Sequence, residues 1–299
     1  MKILITGASG LIGGALIPTL KAKGYEVYKL SRKPPKNTDE IQWDAYEGFA
    51  ANEQAKLENF DAVVHLAGDN VGEGSWTEEK KRSIKESRVV GTKTLVDSFR
   101  KTANPPKIFV SASAIGFYGN RGEEILTEES AKGEGFFPEV CSQWENESKK
   151  AEDFGARVVM PRIGIVLTKD GGALKEMLTP FKFGVGGTVG SGNQFMSWIA
   201  LEDLVGIIHF ALENENLSGA INAVAPNPVT NEEFTDTLGK VLHRPTILPI
   251  PKFGIKLLFG EKGETLLLEG AQVVPKRLLE IGFEFKFTNL EDAMKNALS

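Results

Sequence analysis

Residues 2–16, KILITGASGLIGGAL, decide the fold class of this chain. The apolar run KILIT predicts a buried parallel strand, and LIPTLKAKG after the glycines predicts a helix that ends at Gly24. Between them, Gly7, Gly10 and Gly13 permit a tight turn and a close approach of the backbone to a pyrophosphate. The helix N-terminus adds unpaired N–H groups for an anion. This context predicts a dinucleotide site, with a glycine-rich packing turn as the alternative. The predicted phosphate-binding residues are Gly7, Ser9, Gly10, Leu11, Ile12 and Gly13.

The segments that follow repeat the alternation of strand and helix. Apolar runs at 25–30, 61–68, 107–114 and 156–167 predict further strands, and 77–101 predicts a long helix capped by Thr77. Strands that alternate with helices predict an α/β fold, a Rossmann-type doubly wound parallel sheet. Ligands of such sheets bind at the carboxyl ends of the strands, where Gly7, Gly68 and Ser113 all fall.

The pattern changes after residue 167 and defines the predicted domains. Residues 1–167 are expected to bind the dinucleotide, joined again by about 201–225, where a helix and a strand return to the sheet. Residues 168–200 and 226–299 predict a smaller, mostly helical domain for the substrate. Between Gly184 and Gly192 the chain has five glycines in nine residues. That segment is either a mobile substrate loop or a plain connector.

Composition excludes several classes of protein. The formal net charge of −5 gives no general basic surface for nucleic acid, and one cysteine with three histidines gives no familiar zinc spacing. No apolar run approaches the roughly 20 residues needed to span a bilayer. We therefore expect a cytoplasmic protein with no metal and no nucleic-acid or membrane partner.

The end of the second predicted strand indicates which dinucleotide binds. An NAD site usually has an acid there, whereas this chain reads Leu30-Ser31-Arg32-Lys33. Arg32 can pair with a 2′-phosphate and stack on adenine, assisted by Ser31 or Lys33. This favours NADP(H); a solvated basic turn is the alternative. Trp43-Asp44, at the next strand end, either borders adenine or is an ordinary turn.

Several motifs resemble the extended short-chain dehydrogenase/reductase superfamily, which includes nucleotide-sugar epimerases and dehydratases. They occur in the superfamily's order: ITGASGLIGG, HLAG (65–68), RVVGTKTL (88–95), SASAIGFYG (111–119), PRIGIVL (161–167) and WIALEDLV (198–205). More narrowly, SWTEEKKRSIKESRVVGT, VCSQWE, GVGGTVGSGNQFMSWI and VVPKRLLEIGFEF resemble an atypical epimerase-family subgroup. The resemblance implies the extended fold and NADP(H) binding, and it implies no particular substrate. Within these motifs, the further residues expected to contact the cofactor are Leu66, Ala67, Gly68, Arg88 and Pro161.

The chain departs from this superfamily at its proton-transfer residues. Relatives carry Tyr-x-x-x-Lys on the helix after the SASA strand, and no such pair occurs in residues 120–165. By the family pattern, Cys141 and Glu145 fall near the two positions. A thiol is a weak donor, and a carboxylate does not lower a neighbour's pKa as an ammonium does. Ser113 remains where relatives orient the substrate oxygen. Tyr118 is either a substitute phenol or a packing residue.

Two hypotheses follow for the function. The first is an NADP(H)-dependent oxidoreductase or epimerase-like enzyme that acts on a hydroxyl or carbonyl of an unidentified small molecule, with nucleotide sugars as one candidate class. Ser113 and Tyr118 are its predicted catalytic residues. The second is a non-catalytic NADP(H)-binding redox sensor or regulatory protein. The predicted assembly is a monomer or a homodimer. Cys141, His65 and His209 are expected to be core residues.

Overall fold

The computed structural model describes all residues from Met1 to Ser299. The strands are β1 (Lys2–Thr6), β2 (Glu26–Ser31), β3 (Glu40–Gln42), β4 (Ala62–His65), β5 (Ile108–Ser111), β6 (Ser113–Ala114), β7 (Ile125–Leu126), β8 (Arg157–Ile163), β9 (Ile165–Leu167), β10 (Phe195–Met196), β11 (Trp198–Ala200), β12 (Gly219–Ala223), β13 (Val229–Thr230) and β14 (Gln272–Val273). The α-helices are α1 (Leu11–Ala22), α2 (Ala51–Gln54), α3 (Glu78–Phe99), α4 (Phe136–Lys149), α5 (Gly172–Lys182), α6 (Leu201–Glu213), α7 (Asn231–Leu242), α8 (Lys252–Gly263), α9 (Lys276–Glu280) and α10 (Leu290–Leu298). None of these helices is both long enough and apolar enough to cross a membrane.

One parallel sheet organises the molecule. Its strand order is β12-β8-β5-β4-β1-β2-β3, and the short β6 also pairs with β8. Every pairing in this sheet is parallel, with Ile3 of β1 in register with Ala62 of β4. The predicted Rossmann-type α/β fold is therefore confirmed.

Apolar side chains cover both faces of the sheet because successive residues of a strand point to opposite sides. Ile3 and Ile5 of β1 pack into a cluster with residues of α1 and α6. Leu4, between them, packs into a second cluster that includes Leu95 and Phe99 of α3. The predicted cap of α3 is also confirmed, since Thr77 Oγ1 accepts a hydrogen bond from the Lys80 N–H at 3.1 Å.

The C-terminal part is mostly helical, as expected. Helices α5, α7 and α10 bury a third apolar cluster that includes Leu178, Phe234 and Met294. Strand β12 lies at the edge of the main sheet beside β8, so the chain does return to the sheet between 201 and 225. The division into a cofactor domain and a substrate domain stays a prediction.

The glycine-rich segment between Gly184 and Gly192 packs closely against residues 247–250. A Cβ atom at Gly187 would lie 1.7 Å from the carbonyl oxygen of Leu248. The Gly190 N–H donates to Ile250 O at 2.9 Å. Glycine is needed here because two backbone segments touch, and this close packing favours the connector over a mobile loop.

Candidate functional site

The loop between β1 and α1 has the geometry of a phosphate cradle. Gly7 has φ of +66°, and a Cβ atom on it would lie 2.7 Å from the carbonyl carbon of Leu66. A Cβ atom on Gly13 would lie 2.4 Å from Gly7 O. Gly10 precedes α1 without a side-chain cap. The first N–H groups of α1, including those of Leu11 and Ile12, therefore have no intrahelical partner and can bind an anion.

A buried hydrogen-bond chain ties this loop to the end of β4. Thr6 Oγ1 accepts from the N–H groups of Leu66 and Ala67, each at 3.0 Å. The Thr6 hydroxyl then donates a hydrogen bond to His65 Nδ1 at 2.7 Å. On the other side of the ring, His65 Nε2 is hydrogen-bonded to Thr92 Oγ1 at 3.0 Å. Burial, with a smaller contribution from the Arg88 charge, lowers the pKa of His65 to about 3. His65 is thus a neutral core histidine, as predicted.

The end of β2 presents the predicted selectivity residue to solvent. Arg32 is exposed, and its guanidinium makes no hydrogen bond or ion pair. Ser31 Oγ accepts from the Lys33 N–H at 3.1 Å, which fixes the turn beneath it. Asp44 Oδ1 accepts from the N–H groups of Tyr46 and Glu47, so Asp44 is an ordinary turn acid. The Arg32 guanidinium is therefore unpaired at the carboxyl edge of the sheet. No acidic residue lies beside it at the end of β2.

Arg88 lies against the end of β4 and joins it to α4. Its Nη1 donates to the carbonyl oxygens of Asp69 and Ile84, both at 3.0 Å. Its Cζ lies 5.3 Å from the ring centroid of Trp144 and 3.1 Å from the position of a Cβ on Gly68. Burial lowers the pKa of Arg88. The structure thus brings Gly68 and Arg88 together beside α4, whereas Pro161 is a buried residue inside β8.

The helix α4 carries an ion pair where relatives have proton-transfer residues. Glu145 is buried and receives two hydrogen bonds from Arg162, from Nε to Oε1 and from Nη2 to Oε2, each at 2.8 Å. Ser113 Oγ donates to the same Oε1 at 2.7 Å. Such a bidentate pair is strong and directional. Arg162 therefore holds the carboxylate in place, and Glu145 accepts the hydrogen bond of the Ser113 hydroxyl.

Tyr118 lies on the other side of Arg162, inside the same network. Its side chain is fully buried, and its hydroxyl accepts from Arg162 Nη1 at 2.9 Å. The acceptors for its proton are Asn222 Oδ1 at 2.7 Å and Thr127 O at 3.0 Å. Burial raises the pKa of Tyr118. The predicted catalytic role of Tyr118 stays untested, and this geometry favours a structural role.

Sequence reasoning did not single out Arg162, although a signal was present. The charged Arg162 follows Pro161 inside a strand that is buried over most of its length, and Glu145 directly follows Trp144, one turn after Cys141 on α4. A buried charge needs a partner, because desolvation without one is costly. A charge inside a buried strand predicts a nearby partner of opposite charge, and the sequence does not show which of the three glutamates of α4 that partner is.

Cys141 gives a direct test of whether α4 supplies a nucleophile. Burial, then the nearby Glu145 charge, raises the pKa of Cys141 to about 12. The thiol is therefore protonated throughout the usual pH range. We expect iodoacetamide to leave Cys141 unmodified at pH 8 in the folded protein and to modify it fully in urea, as read by mass spectrometry. Cys141→Ser should leave cofactor affinity unchanged; fast alkylation blocked by NADPH would contradict this.

Comparisons with known families agree with this geometry. Residues 3–139 match the model of the "NAD dependent epimerase/dehydratase family", and residues 250–297 match a "Domain of unknown function". The chain is 40% identical over 301 residues to the chloroplastic epimerase family protein SDR39U1 homolog of Arabidopsis thaliana, covering 99% of this chain and 86% of that protein. It is 38% identical to epimerase family protein YfhF of Bacillus subtilis, covering 100% of this chain and 98% of YfhF.

A solved structure is similar over the whole chain. It is the crystal structure of the human epimerase family protein SDR39U1 (isoform 2) with NADPH. The TM-score is 0.90 at 36% sequence identity, and the match covers 100% of both chains.

Proposed function

The chain belongs to the NAD-dependent epimerase/dehydratase family, and from this membership we propose that it is an NADP(H)-dependent oxidoreductase of the epimerase-like group. Its substrate is a small molecule with a carbonyl or hydroxyl that exchanges hydride with C4 of the nicotinamide. The observation that carries the proposal is the uncapped N-terminus of α1 above Gly7, Gly10 and Gly13, with the free Arg32 at the neighbouring strand end.

Each part of the cofactor has a matching part of the site. The pyrophosphate fits the N-terminus of α1, because unpaired N–H groups and the helix dipole favour an anion there. The 2′-phosphate fits Arg32, and the 36% identical human relative was crystallised with NADPH. The nicotinamide fits the side of the cleft formed by Gly68, Arg88 and α4. No step here needs a metal.

The proposed roles of the two domains follow from which segments belong to the main sheet. Residues 1–167 with 201–225 hold the cofactor, because both β1 and β12 belong to the main sheet. Residues 168–200 and 226–299 then contribute the substrate side of the cleft. A monomeric or homodimeric state and a cytoplasmic location stay predictions.

Cofactor selectivity tests the proposal directly. NADPH should bind more tightly than NADH, and Arg32→Ala should remove about 1.5–3 kcal/mol of that preference, the range for a charge-assisted hydrogen bond. This corresponds to roughly 10- to 150-fold in dissociation constant, measured by calorimetry with both cofactors. Lys23→Ala is the matched control, since Lys23 ends α1 at the opposite edge of the sheet. Equal affinities of the unaltered protein for NADPH and NADH would refute the assignment.

One observation favours a second candidate, a non-catalytic NADP(H)-binding sensor. The Ser113 hydroxyl donates its hydrogen bond to Glu145, and the pKa of Cys141 is raised to about 12. The thiol keeps its proton but is a weak hydrogen-bond donor, and no ammonium lies beside it to assist proton transfer as the lysine of relatives does. A sensor would bind NADPH and would not oxidise it in the presence of any added acceptor.

A further inference from the structure

We propose that the surface formed by α8 and the two segments beside it docks on an anionic lipid bilayer, so that the protein lies on the membrane without crossing it. This α8 surface comprises residues 182–185, 244–248 and 252–258. The inference does not depend on the bound cofactor. It joins two independent observations: an apolar ridge that faces solvent, and the lack of any acidic residue in the segments that form the surface.

Exposed apolar side chains are concentrated at the α8 surface. Nine large hydrophobic side chains of the chain are more than half exposed, and seven of them lie at 183–185, 247–248 or 253–258. The other two are Tyr46 and Ile125. At about 100 Å² each, the seven present on the order of 700 Å², which exceeds the roughly 300–600 Å² of the largest patch on a typical monomer. A patch of this size marks an interaction site.

The helix α8 has its apolar side turned outward. Ile255 is 2% exposed and faces the body of the protein, whereas Phe253 is 74% exposed and Leu257 is 82% exposed. Phe253 and Leu257 are four residues apart and share one side of the helix. Each is two residues from Ile255, which puts them on the side opposite to it. The solvent side of a surface helix is normally polar. An apolar ridge in its place is the pattern of helices that lie in a lipid interface.

Backbone contacts join the two neighbouring segments to α8. Gly187, which follows the first segment, forms an antiparallel β-bridge with Ile247 of the second. Arg244 Nε donates to Lys182 O at 2.9 Å. Helix α8 begins at Lys252, soon after the second segment ends. The exposed apolar residues of the three segments therefore form one surface and not three separate patches.

The chain around this surface contains no acidic residue. Residues 177–201 and 237–260 have no Asp or Glu, although the protein has 40 acidic residues among its 299. The basic residues of these two stretches are Lys182, Lys240, Arg244, Lys252 and Lys256. A surface with cations and no anions favours a partner of negative charge.

Three of these five cations have no carboxylate partner. The other two pair with glutamates from outside the two stretches, Lys240 at 2.6 Å and Lys256 at 3.0 Å. Lys182, Arg244 and Lys252 are exposed and form no ion pair. Positive charge is therefore left over at the α8 surface of a protein whose formal net charge is −5. Lipid phosphates can pair with it.

A second copy of this chain does not suit the α8 surface. A two-fold symmetric dimer places the same patch of both protomers face to face. Lys182, Arg244 and Lys252 would then lie near the same cations of the other protomer, with no acid of these stretches to pair with them. Such a juxtaposition of like charges is unfavourable. A bilayer instead offers complementary charge, and it accepts a protruding ridge without a groove of matching shape.

This mode of binding needs no membrane-spanning segment. The ridge is buried about 5–10 Å deep, at the boundary of headgroups and acyl chains, while the lysine side chains extend to the phosphates. The expectation of no membrane partner rested on the absence of an apolar run long enough to span a bilayer. A helix that lies on the surface does not have to meet that criterion. The inference therefore departs from the expectation made from the sequence.

The experiment is sedimentation of the protein with vesicles of phosphatidylcholine, or of two parts phosphatidylcholine to one part phosphatidylglycerol. We expect binding roughly tenfold or more tighter to the anionic vesicles, with a smaller difference at high salt. Leu257→Glu should weaken binding to anionic vesicles roughly tenfold or more, because a carboxylate replaces the ridge. Lys252→Glu should weaken it roughly fivefold or more. Both side chains are exposed, so both variants should unfold at the temperature of the unaltered protein.

Two matched controls lie outside the α8 surface. Ile125→Glu places a carboxylate at another exposed apolar position, and Lys101→Glu changes the net charge as Lys252→Glu does. Both should bind anionic vesicles as the unaltered protein does. Equal binding to the two kinds of vesicle, no binding to either, or the same loss in the controls would each overturn the inference. A homodimer, seen by light scattering, that Leu257→Glu dissociates would assign the surface to a second copy and overturn it as well.

Discussion

Gly10→Val is expected to weaken NADPH binding at least 100-fold, about 2.7 kcal/mol, while the protein stays folded. Gly10 has φ of −78° and ψ of 174°, a conformation that valine adopts readily. A Cβ atom there would lie 3.2 Å from Gly7 O and would meet no other atom within 4 Å outside its chain neighbours. The chain itself thus accommodates the side chain with a small adjustment, whereas a pyrophosphate at the N-terminus of α1 cannot share that space. Calorimetry with NADPH and thermal unfolding without it measure the two effects separately.

Gly14→Ala is the matched control for this experiment. Gly14 lies one turn into the same helix, is exposed, and has no atom within 4 Å of a built Cβ. Alanine there should leave NADPH affinity unchanged and raise the free energy of unfolding by about 0.5–1 kcal/mol through helix propensity. Gly13→Ala is unsuitable, because its Cβ would overlap Gly7 O and disturb the loop itself. A folded Gly10→Val protein that binds NADPH normally would place the phosphate site elsewhere.

Arg162→Met is expected to lower the free energy of unfolding by about 3–5 kcal/mol, the range for breaking one partner out of a buried ion pair. The change leaves the Glu145 carboxylate buried with only Ser113 as a donor, and it removes one hydrogen bond from Tyr118. Urea unfolding without cofactor measures the loss, provided that the slope with urea concentration is unchanged.

A second change distinguishes a lost ion pair from lost packing. In the double variant Glu145→Leu with Arg162→Met, no unpaired charge remains, so the loss should be smaller than the sum of the two single losses by at least about 1.5 kcal/mol. Glu145→Leu alone should be strongly destabilising, because it leaves the Arg162 guanidinium buried without its carboxylate. Additive effects would mean that the two side chains do not interact as described.

The main sheet and the phosphate loop were predictable because their signals are local. A strand that is buried on both faces must be apolar over consecutive residues, which marked β1, β4 and β5 in the sequence. The three glycines mark positions where the backbone touches another backbone, as at Gly7 beside Leu66. Arg32 was also visible in the sequence, as a basic residue at the strand end where NAD sites usually have an acid, and its role in cofactor selectivity stays a prediction.

Other features of the site depended on contacts between distant parts of the chain. Sequence showed that the Tyr-x-x-x-Lys pair was missing, and it left open what took its place. Tyr118 was predicted as a substitute phenol or a packing residue, and its hydroxyl contacts Asn222, which lies 104 positions away.

The sequence by itself determined the parallel sheet, the dinucleotide loop, the basic strand end and the absence of the usual acid. Each of these follows from backbone geometry or residue type within about ten residues, where periodicity and glycine positions are informative. Only the tertiary structure decided that Arg162 pairs with Glu145, that Glu145 accepts a hydrogen bond from Ser113, and that Tyr118 is fully buried. Those outcomes depend on which elements pack together, because a buried charge or hydroxyl takes whatever partner the packed fold brings within hydrogen-bonding distance.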